Sequence, residues 1–150
     1  ETMIPSMREP HLVRVIAGPE ADNFVPRSVR FLANRKETVL FNATSRLNRT
    51  GIRLEGEPLR FRDEAERSII SEGLLPGTIQ VPPDGYPIIT LAERTIGGYA
   101  RLATVADADM DMLAQIRPRD RVVLSSIDIN EAERLWRAGR DARSFYCKKQ

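Results

Sequence analysis

Two arginines that lie close together in the sequence are the first candidates for anion chemistry. Arg49 and Arg53 fall on the same face if a strand begins by residue 49, because side chains alternate along a strand. Two guanidinium groups on one face could clamp a carboxylate or bicarbonate through forked hydrogen bonds. The alternative is a solvated strand face on which Glu55 neutralises an arginine.

A single amide inside an apolar run is the second candidate. Gln80 lies between Ile79 and Val81, in a short run that is typical of a buried strand. A buried amide must find hydrogen-bond partners. Gln80 therefore either holds a turn in place or faces a ligand.

Two glycine-containing segments near Gln80 predict tight turns. Asp84-Gly85 follows two prolines and is typical of a hairpin tip. Gly97-Gly98-Tyr99 predicts another turn, since paired glycines serve any tight turn and also let the backbone approach a ligand closely. It is not a phosphate loop, because the Lys-Ser/Thr pair of such a loop does not follow the glycines.

An alternating acidic segment resembles a calcium loop only in its spacing. Asp107, Asp109 and Asp111 stand at alternate positions. However, Met112 occupies the position that requires glycine, and Pro118 the position that requires glutamate. The three acids instead favour the first turn of a helix.

The chain has too few histidines and cysteines for a nucleophilic cysteine site or a zinc site. The chain has one histidine, His11, and one cysteine, Cys147, in opposite tails. A catalytic cysteine needs a nearby base, and a zinc site needs several histidine or cysteine ligands. We therefore expect no metal site. Catalysis would depend on carboxylates, arginines, amides and backbone groups, together with residues from another domain.

The composition favours one soluble domain. The chain has 150 residues, of which 41% are hydrophobic and 29% charged, and a net charge of +2. No apolar run approaches the roughly 20 residues of a membrane helix, and the N-terminal segment is not a signal peptide. Interleaved charges argue against nucleic-acid binding. The lone cysteine fits a reducing cytoplasm.

The predicted elements are mostly short strands. Polar and proline-containing residues 1–11 indicate a linker or a disordered N-terminal tail, and residues 141–150 a basic C-terminal tail. Ser28, Asp107 and Asn130 are predicted to cap helices, and residues 63–67 to form a helical turn. Six or more strands without alternating βαβ spacing favour a mainly β barrel or sandwich. Strands are predicted at 12–16, 38–41, 51–55, 78–81, 87–92, 100–105 and 121–124.

Several of these segments together resemble the second half of KipA-type proteins, also called allophanate hydrolase subunit 2. They follow the family order, with the family spacing almost throughout, from about residue 12 to residue 124. The segments are Gly18-Pro19, Asn48 to Leu54, Ser71-Glu72-Gly73, Pro76 to Ile88, Leu91 to Arg94, Gly97-Gly98-Tyr99 and Ala103-Thr104-Val105.

The resemblance implies a cyclophilin-like β-barrel with a few short helices, spanning residues 12–140. It implies the C-terminal domain of a biotin-dependent carboxyltransferase, or of an ATP-dependent 5-oxoprolinase subunit, acting on a small amide or lactam. The implied partners are a KipI-type subunit, allophanate hydrolase subunit 1, and an N-terminal half that is absent from this chain. No cofactor is expected on this chain alone; biotin, as carboxybiotin, or ATP would belong to the full complex.

A non-enzymatic alternative is an interaction module that regulates a partner protein, as in Kip-type control of a sensor kinase. Under the enzymatic interpretation, electrostatic positioning rather than a nucleophile carries the chemistry. The candidate catalytic residues are then Arg49, Arg53 and Gln80. The candidate substrate-binding residues are Asn48, Asp84, Gly85, Gly97, Gly98 and Tyr99.

One of the matching segments departs from the family pattern. The stretch from Glu93 to Tyr99 is one residue shorter, Glu93 replaces an aspartate, and Ala100 replaces a proline. If the site depends on this loop, its geometry and its activity differ from those of the family.

Overall fold

The computed structural model describes residues 9–147, with residues 65 and 141–147 described for the backbone alone. Residues 1–8 of the predicted linker and residues 148–150 of the predicted basic tail lie outside the described residues. The strands are β1 (His11–Ala17), β2 (Thr38–Asn48), β3 (Gly51–Glu55), β4 (Ser68–Gly73), β5 (Thr78–Val81), β6 (Ile88–Thr90), β7 (Ile96–Val105) and β8 (Arg121–Ser126). The helices are α1 (Arg30–Ala33), α2 (Met110–Leu113) and α3 (Ile129–Cys147), with single 3-10 turns at Ala21–Asn23, Pro26–Val29, Glu64–Arg67 and Asp107–Asp109.

Of the eight strands in the described part of the chain, seven close into a barrel. They are hydrogen-bonded in the order β1-β8-β2-β3-β6-β5-β7, and β7 pairs back with β1. The β1–β8 pair is parallel and the other pairs are antiparallel. β4 stands outside the ring and pairs with β7. The fold class predicted from the sequence, a mainly β, cyclophilin-like barrel with a few short helices, is confirmed.

The barrel interior is filled by side chains that alternate along the strands. Successive side chains of a strand point to opposite faces, so a strand with one face in the core contributes every second residue to it. Burying these aliphatic and aromatic groups is the main favourable contribution to folding. Fully buried members of this core include Val13, Val15, Phe41, Ile52, Leu54, Ile79, Ile89, Val122 and Leu124.

The reversal before β7 is not where the sequence predicted it. Gly97-Gly98 lie within β7, paired with β4, rather than in a turn. The chain reverses earlier, where the Arg94 amide donates to the carbonyl of Leu91. β4 itself was not predicted as a strand, because its two isoleucines are adjacent, the rest of it is polar or glycine, and almost all of it is exposed, so it has no alternating pattern.

The predicted helix caps were wrong in position. Ser28 lies inside a 3-10 turn that begins at Pro26, and its hydroxyl accepts from the Arg60 amide instead. Asp107 begins a 3-10 turn and makes no side-chain capping bond. Asn130 lies inside α3. The backbone amide of Glu131, in the first turn of this helix, donates to the side chain of Asp128 at 2.7 Å. An aspartate three residues before the bonded amide is a normal cap.

α3 packs against the 3-10 turn Asp107–Asp109. Its described side chains are half-buried or exposed, and its backbone continues beyond Arg140 into residues 141–147.

Among the described helices, none is both long and apolar enough to span a membrane.

Candidate functional site

A bulge in β2 forms one wall of a surface cavity that two of the predicted site residues line. On one side of the bulge Ala43 pairs with Leu54. On the other side Leu47 pairs with Ile52. Between these two pairs, residues 44–46 of β2 stand opposite Arg53, which is the one β3 residue there. A strand that carries such extra residues bends away from its partner.

The cavity next to this bulge has a volume of about 690 Å³, which is within the range of small-molecule sites. Its walls come from β2, from β3 and from the turn that joins β5 to β6. Most of the lining groups are polar. They are Asn42, Thr44, Ser45, Arg46, Arg53, Leu54, Glu55, Gly56, Asp84 and Tyr86.

The structure brings together two of the predicted site residues in this cavity. Arg53 and Asp84 form an ion pair that joins β3 to the β5–β6 turn. Their side chains are 24% and 45% exposed, so a ligand can reach both partners. The second oxygen of Asp84 accepts from the Tyr86 amide at 3.1 Å, which fixes the carboxylate at the mouth of the cavity.

Gly85 holds this turn in its tight form. It has a φ of 84°, which glycine adopts without steric cost. A Cβ at this position would lie 2.6 Å from the carbonyl oxygen of Leu59. The hairpin-tip interpretation of Asp84-Gly85 agrees with the antiparallel pairing of β5 and β6, and Gly85 supports the site through the backbone that it allows.

Gln80 lies in register with Arg53, two strands away. Ile88 of β6 pairs with Arg53 on one side and with Gln80 on the other. The Gln80 side chain is fully buried, and its amide nitrogen donates to the carbonyl of Tyr99 at 3.2 Å. Its amide oxygen has no hydrogen-bond partner among the described residues. Gln80 thus ties β5 to β7 and does not line the cavity.

Gly97 and Gly98 bring the neighbouring strand close to this buried amide. A Cβ on Gly97 would lie 2.4 Å from the amide nitrogen of Gln80. A Cβ on Gly98 would lie 3.0 Å from the Ser71 hydroxyl of β4. The close approach predicted for these glycines is therefore made to other parts of the chain, and Gln80, Gly97 and Tyr99 form one packed cluster.

Arg101 of β7 pairs with Gln80, in register with Ile88 and Arg53 on the neighbouring strands. Its guanidinium donates to Glu20 at 2.7 Å and to Glu72 at 3.0 Å. The hydrogen bond from Arg101 holds the pKa of Glu20 below its usual value, although burial opposes this change. Conversely, the Glu20 carboxylate raises the pKa of Arg101.

Asn48 and Arg49 do not lie in the cavity. The amide oxygen of Asn48 accepts from the Thr50 amide at 2.9 Å and shapes the β2–β3 hairpin turn. The predicted shared face of the two arginines requires a strand that begins by residue 49, whereas β3 begins at Gly51. Arg49 is therefore on the turn, 87% exposed, with Glu93 at 3.5 Å.

Sequence reasoning missed Arg46 and Tyr86, which line the cavity beside Arg53. It treated Glu55 as a neutralising partner for an arginine, whereas Arg53 pairs with Asp84. No sequence signal marks the bulge that turns residues 44–46 towards the cavity, because a bulge breaks the alternating pattern on which strand prediction relies.

The cavity can bind and orient a polar anion. It presents guanidinium, hydroxyl, amide and carboxylate groups, which suit charge-assisted hydrogen bonding. In the part of the chain that the structure describes, no group of three or more His, Cys, Asp or Glu residues is placed to hold a metal ion. The described chemistry is therefore positioning and charge stabilisation.

Comparison with known proteins identifies the family. The family model described as carboxyltransferase domain, subdomain A and B, matches residues 1–126. A 5-oxoprolinase subunit of Haemophilus influenzae is 32% identical over 127 residues, which cover 84% of this chain and 39% of that protein. The corresponding 5-oxoprolinase subunit of Escherichia coli K12 is 40% identical over 105 residues, which cover 69% of this chain and 32% of that protein.

Two solved structures from Kluyveromyces lactis share the fold. The urea amidolyase has a TM-score of 0.71 at 20% identity, over 87% of this chain and 8% of that chain. The urea carboxylase has the same TM-score and identity, over 87% of this chain and 12% of that chain. The chain spans well under half the length of the curated relatives that it matches. It belongs to the carboxyltransferase domain family, subdomain A and B, and the resemblance to KipA-type proteins that its motifs carry is confirmed.

Proposed function

We propose that this chain is the C-terminal domain of a biotin-dependent carboxyltransferase or ATP-dependent 5-oxoprolinase subunit that acts on a small amide or lactam. The observation that carries the proposal is the Arg53–Asp84 pair, which two separate elements hold at the edge of a polar cavity. The two bacterial relatives named as 5-oxoprolinase subunits support the choice of substrate class.

Arg53 and Asp84 have complementary roles in this proposal. Arg53 binds a carboxylate or stabilises the negative charge that develops on an oxygen during transfer. Asp84 holds the guanidinium in place before the ligand arrives, so less ordering is needed when the ligand binds. The cluster of Gln80, Gly97 and Tyr99 joins β5 to β7 behind them.

The residues of the cavity fit a carboxylate-bearing group such as carboxybiotin, because Arg46 and Arg53 supply guanidinium donors and Ser45 a hydroxyl. Biotin, when bound, supplies the carboxyl group that is transferred. Arg53, Arg46 and Ser45 would hold that carboxyl group and orient it towards the amide substrate.

ATP does not fit the paired glycines of this chain. Gly97 and Gly98 lie within a strand, and the space beside them is filled by Gln80 and Ser71. A phosphate loop needs backbone amides that point into open space ahead of a helix. ATP use in the proposed complex is therefore assigned to a partner, for which a KipI-type subunit is our choice. A cytoplasmic location is part of the same proposal, supported by the lone cysteine.

The test compares Arg53→Ala with Arg27→Ala in the complete complex. Arg27 is an exposed arginine that lies outside the cavity. We expect Arg53→Ala to lower turnover by about 10- to 100-fold while it changes the free energy of unfolding by less than about 1 kcal/mol. Arg27→Ala should leave both quantities unchanged. Equal losses of turnover and stability in Arg53→Ala would make Arg53 a structural residue.

A non-enzymatic interaction module is the second candidate, favoured by exposed aliphatic groups around β4. Ile70, Leu75 and Ile96 are 85%, 75% and 66% exposed, and exposed apolar groups at a strand edge are typical of a protein interface. Binding of a KipI-type partner without turnover, when all components of the complex are present, would favour this regulatory function over the enzymatic one.

A further inference from the structure

A two-stranded ribbon lies outside the barrel, and we call it the flap. It consists of β4 and residues 96–99 of β7, which pair with each other. Among the described strands, β4 pairs with no other, and β7 pairs with β5 only from Ala100 onwards. Ile70 and Ile96 of the flap are largely exposed, so their burial contributes little to its stability. A two-stranded ribbon is at best marginally stable by itself, so the flap depends on a few contacts with the barrel.

The flap covers the side chain of Gln80, which is fully buried. A Cβ on Gly97 of the flap would lie 2.6 Å from the amide oxygen of Gln80 and 2.7 Å from the side chain of Leu74, which follows β4. The Tyr99 carbonyl accepts from the amide nitrogen of Gln80, but the amide oxygen has no partner among the described residues. A buried acceptor without a partner costs free energy. Opening of the flap removes this cost, because water or a ligand donor then reaches the oxygen.

One ion pair joins the flap to the barrel in the part of the chain that the structure describes. Glu72 of β4 accepts from the guanidinium of Arg101 at 3.0 Å. Arg101 lies on the barrel part of β7, where it pairs with Gln80. The Glu72 side chain is 54% exposed, so water and salt weaken this contact. The Glu72–Arg101 pair therefore acts as a latch that can open and close.

The strand register places Gln80 next to the cavity at Arg53. Ile88 pairs with Arg53 on one side and with Gln80 on the other. All three side chains point out of the barrel, because the residues that alternate with them fill its core. Neighbouring strands lie about 4.8 Å apart, so the backbone of Gln80 stands on the order of 10 Å from that of Arg53.

We propose that the flap is a lid that opens and uncovers Gln80 as a second ligand-binding group beside the cavity at Arg53. With the flap open, the cavity extends along the outside of the barrel as far as Gln80. The side-chain amide then offers both a donor and an acceptor, which fits an uncharged part of a ligand that carries a C=O and an N–H. The motion of the flap is a property of this chain alone, whereas the effect of Gln80 on turnover rests on the proposed function.

The first test is native-state hydrogen exchange of the chain, followed by NMR, which measures the free energy of each opening. The backbone amides of Leu74 in the flap and Leu54 in the barrel each donate to a carbonyl at 2.9 Å, so they form a matched pair. We expect Leu74 and the side-chain amide of Gln80 to exchange through one common opening, at least about 100-fold more often than Leu54. Equal opening of Leu74 and Leu54 would overturn the flap. Exchange of Gln80 together with Leu54 would show that the flap does not uncover it, and would also overturn the proposal.

The latch is tested by Glu72→Gln, which removes the charge that Arg101 binds. We expect the Leu74 amide to exchange about two- to fivefold faster in this variant, as the loss of a half-exposed ion pair allows. Glu133→Gln is the matched control, since it breaks another exposed pair, with Arg137 on α3, and should leave this exchange unchanged. No difference between the two variants would contradict the latch.

The ligand-binding role is tested by Gln80→Met in the complete complex. Methionine nearly keeps the size of the side chain, and the lost bond to Tyr99 is offset by the loss of the unpaired acceptor, so the midpoint of unfolding should change little. We expect KM to rise about tenfold, which corresponds to one hydrogen bond to the ligand. An unchanged KM would make Gln80 a packing residue and overturn its role as a ligand-binding group.

Failure of the flap and failure of the proposed function give different results. If Arg53→Ala kept full turnover in the complex, the proposed function would fail while the exchange of the flap stood. If Leu74 and Leu54 opened together, the flap would fail while the effect of Arg53→Ala stood.

Discussion

Gly97 packs directly against the side chain of Gln80, with no room for a Cβ between them. A Cβ on Gly97 would lie 2.4 Å from the amide nitrogen of Gln80 and 2.6 Å from its amide oxygen. The glycine therefore belongs to the packing of a buried amide that connects β5 to β7.

The first prediction follows from this contact. Gly97→Ala should displace the Gln80 amide from the Tyr99 carbonyl and lower the free energy of unfolding by about 1 to 3 kcal/mol, as overpacking of a filled interior does. Gly73→Ala is the control, since the nearest atom to its new Cβ would be the Thr95 oxygen at 4.0 Å. Denaturant unfolding measures both, and equal effects would contradict the contact.

A second prediction concerns the buried carboxylate of Asp109. It accepts from the Arg14 amide at 2.7 Å and also binds the Arg14 guanidinium, which joins β1 to the turn before α2. Asp109 is 5% exposed and Arg14 is partly exposed. Asp109→Ala should therefore lower the free energy of unfolding by about 2 to 4 kcal/mol, somewhat less than for a fully buried pair.

The exposed Glu133–Arg137 pair on α3 provides the comparison. Glu133→Ala should change the free energy of unfolding by less than about 0.5 kcal/mol, because water and salt screen such a pair. Thermal or denaturant unfolding of the two variants would show whether burial sets the difference.

A third prediction links Glu20 to pH. Arg101 lowers the pKa of Glu20 from its usual 4.5, so the folded state favours the ionised carboxylate. The resulting stabilisation is fully present above pH 4.5, and it is lost as the pH falls through the lower pKa of the folded state. Glu20→Gln should therefore be less stable than the unmodified chain near neutral pH.

The difference between these two proteins should shrink as the solution is acidified below pH 4.5. Unfolding measured over a series of pH values, with the variant subtracted from the unmodified chain, removes the contribution of the other carboxylates. A difference that does not depend on pH would mean that the Glu20–Arg101 contact acts through packing alone.

A fourth prediction tests the start of α3. Asp128 accepts from the Glu131 amide, and this bond, followed by the contact with Arg35, lowers the pKa of Asp128. Asp128→Ala should speed hydrogen exchange of the Glu131 amide in the first turn of α3, since the side-chain acceptor of this amide is lost. Asn130→Ala, at the position predicted from sequence to be the cap, should leave that exchange unchanged.

The fold could be predicted from the sequence because turn residues and the pattern of apolar residues indicate the same strands. The alternation of Ile52 and Leu54 marks β3, and the apolar run around Ile79 marks β5. β4 escaped prediction because pairing with β7, rather than burial, makes it a strand. Its residues are almost all exposed, and its two adjacent isoleucines give no alternating pattern.

The site could be predicted only in part, for a related reason. Arg53 and Asp84 were both identified, but their ion pair depends on the long-range placement of the β5–β6 turn beside β3. Arg49 was placed on the wrong side of a strand boundary by two residues, and this was enough to move it onto the hairpin turn. Arg46 required knowledge of the bulge, which only the pairing of β2 with β3 reveals.

The way in which the barrel closes has a consequence for synthesis on the ribosome. β1 comes first along the chain among the described strands of the barrel and pairs with β7 and β8. Its pairs Val15–Val105 and Val13–Leu124 therefore form only after those two strands have been made. Contacts between residues so far apart in sequence form late and slow the folding of a domain. The barrel therefore cannot close at β1 until nearly all of its described strands have been made, so closure comes late in synthesis.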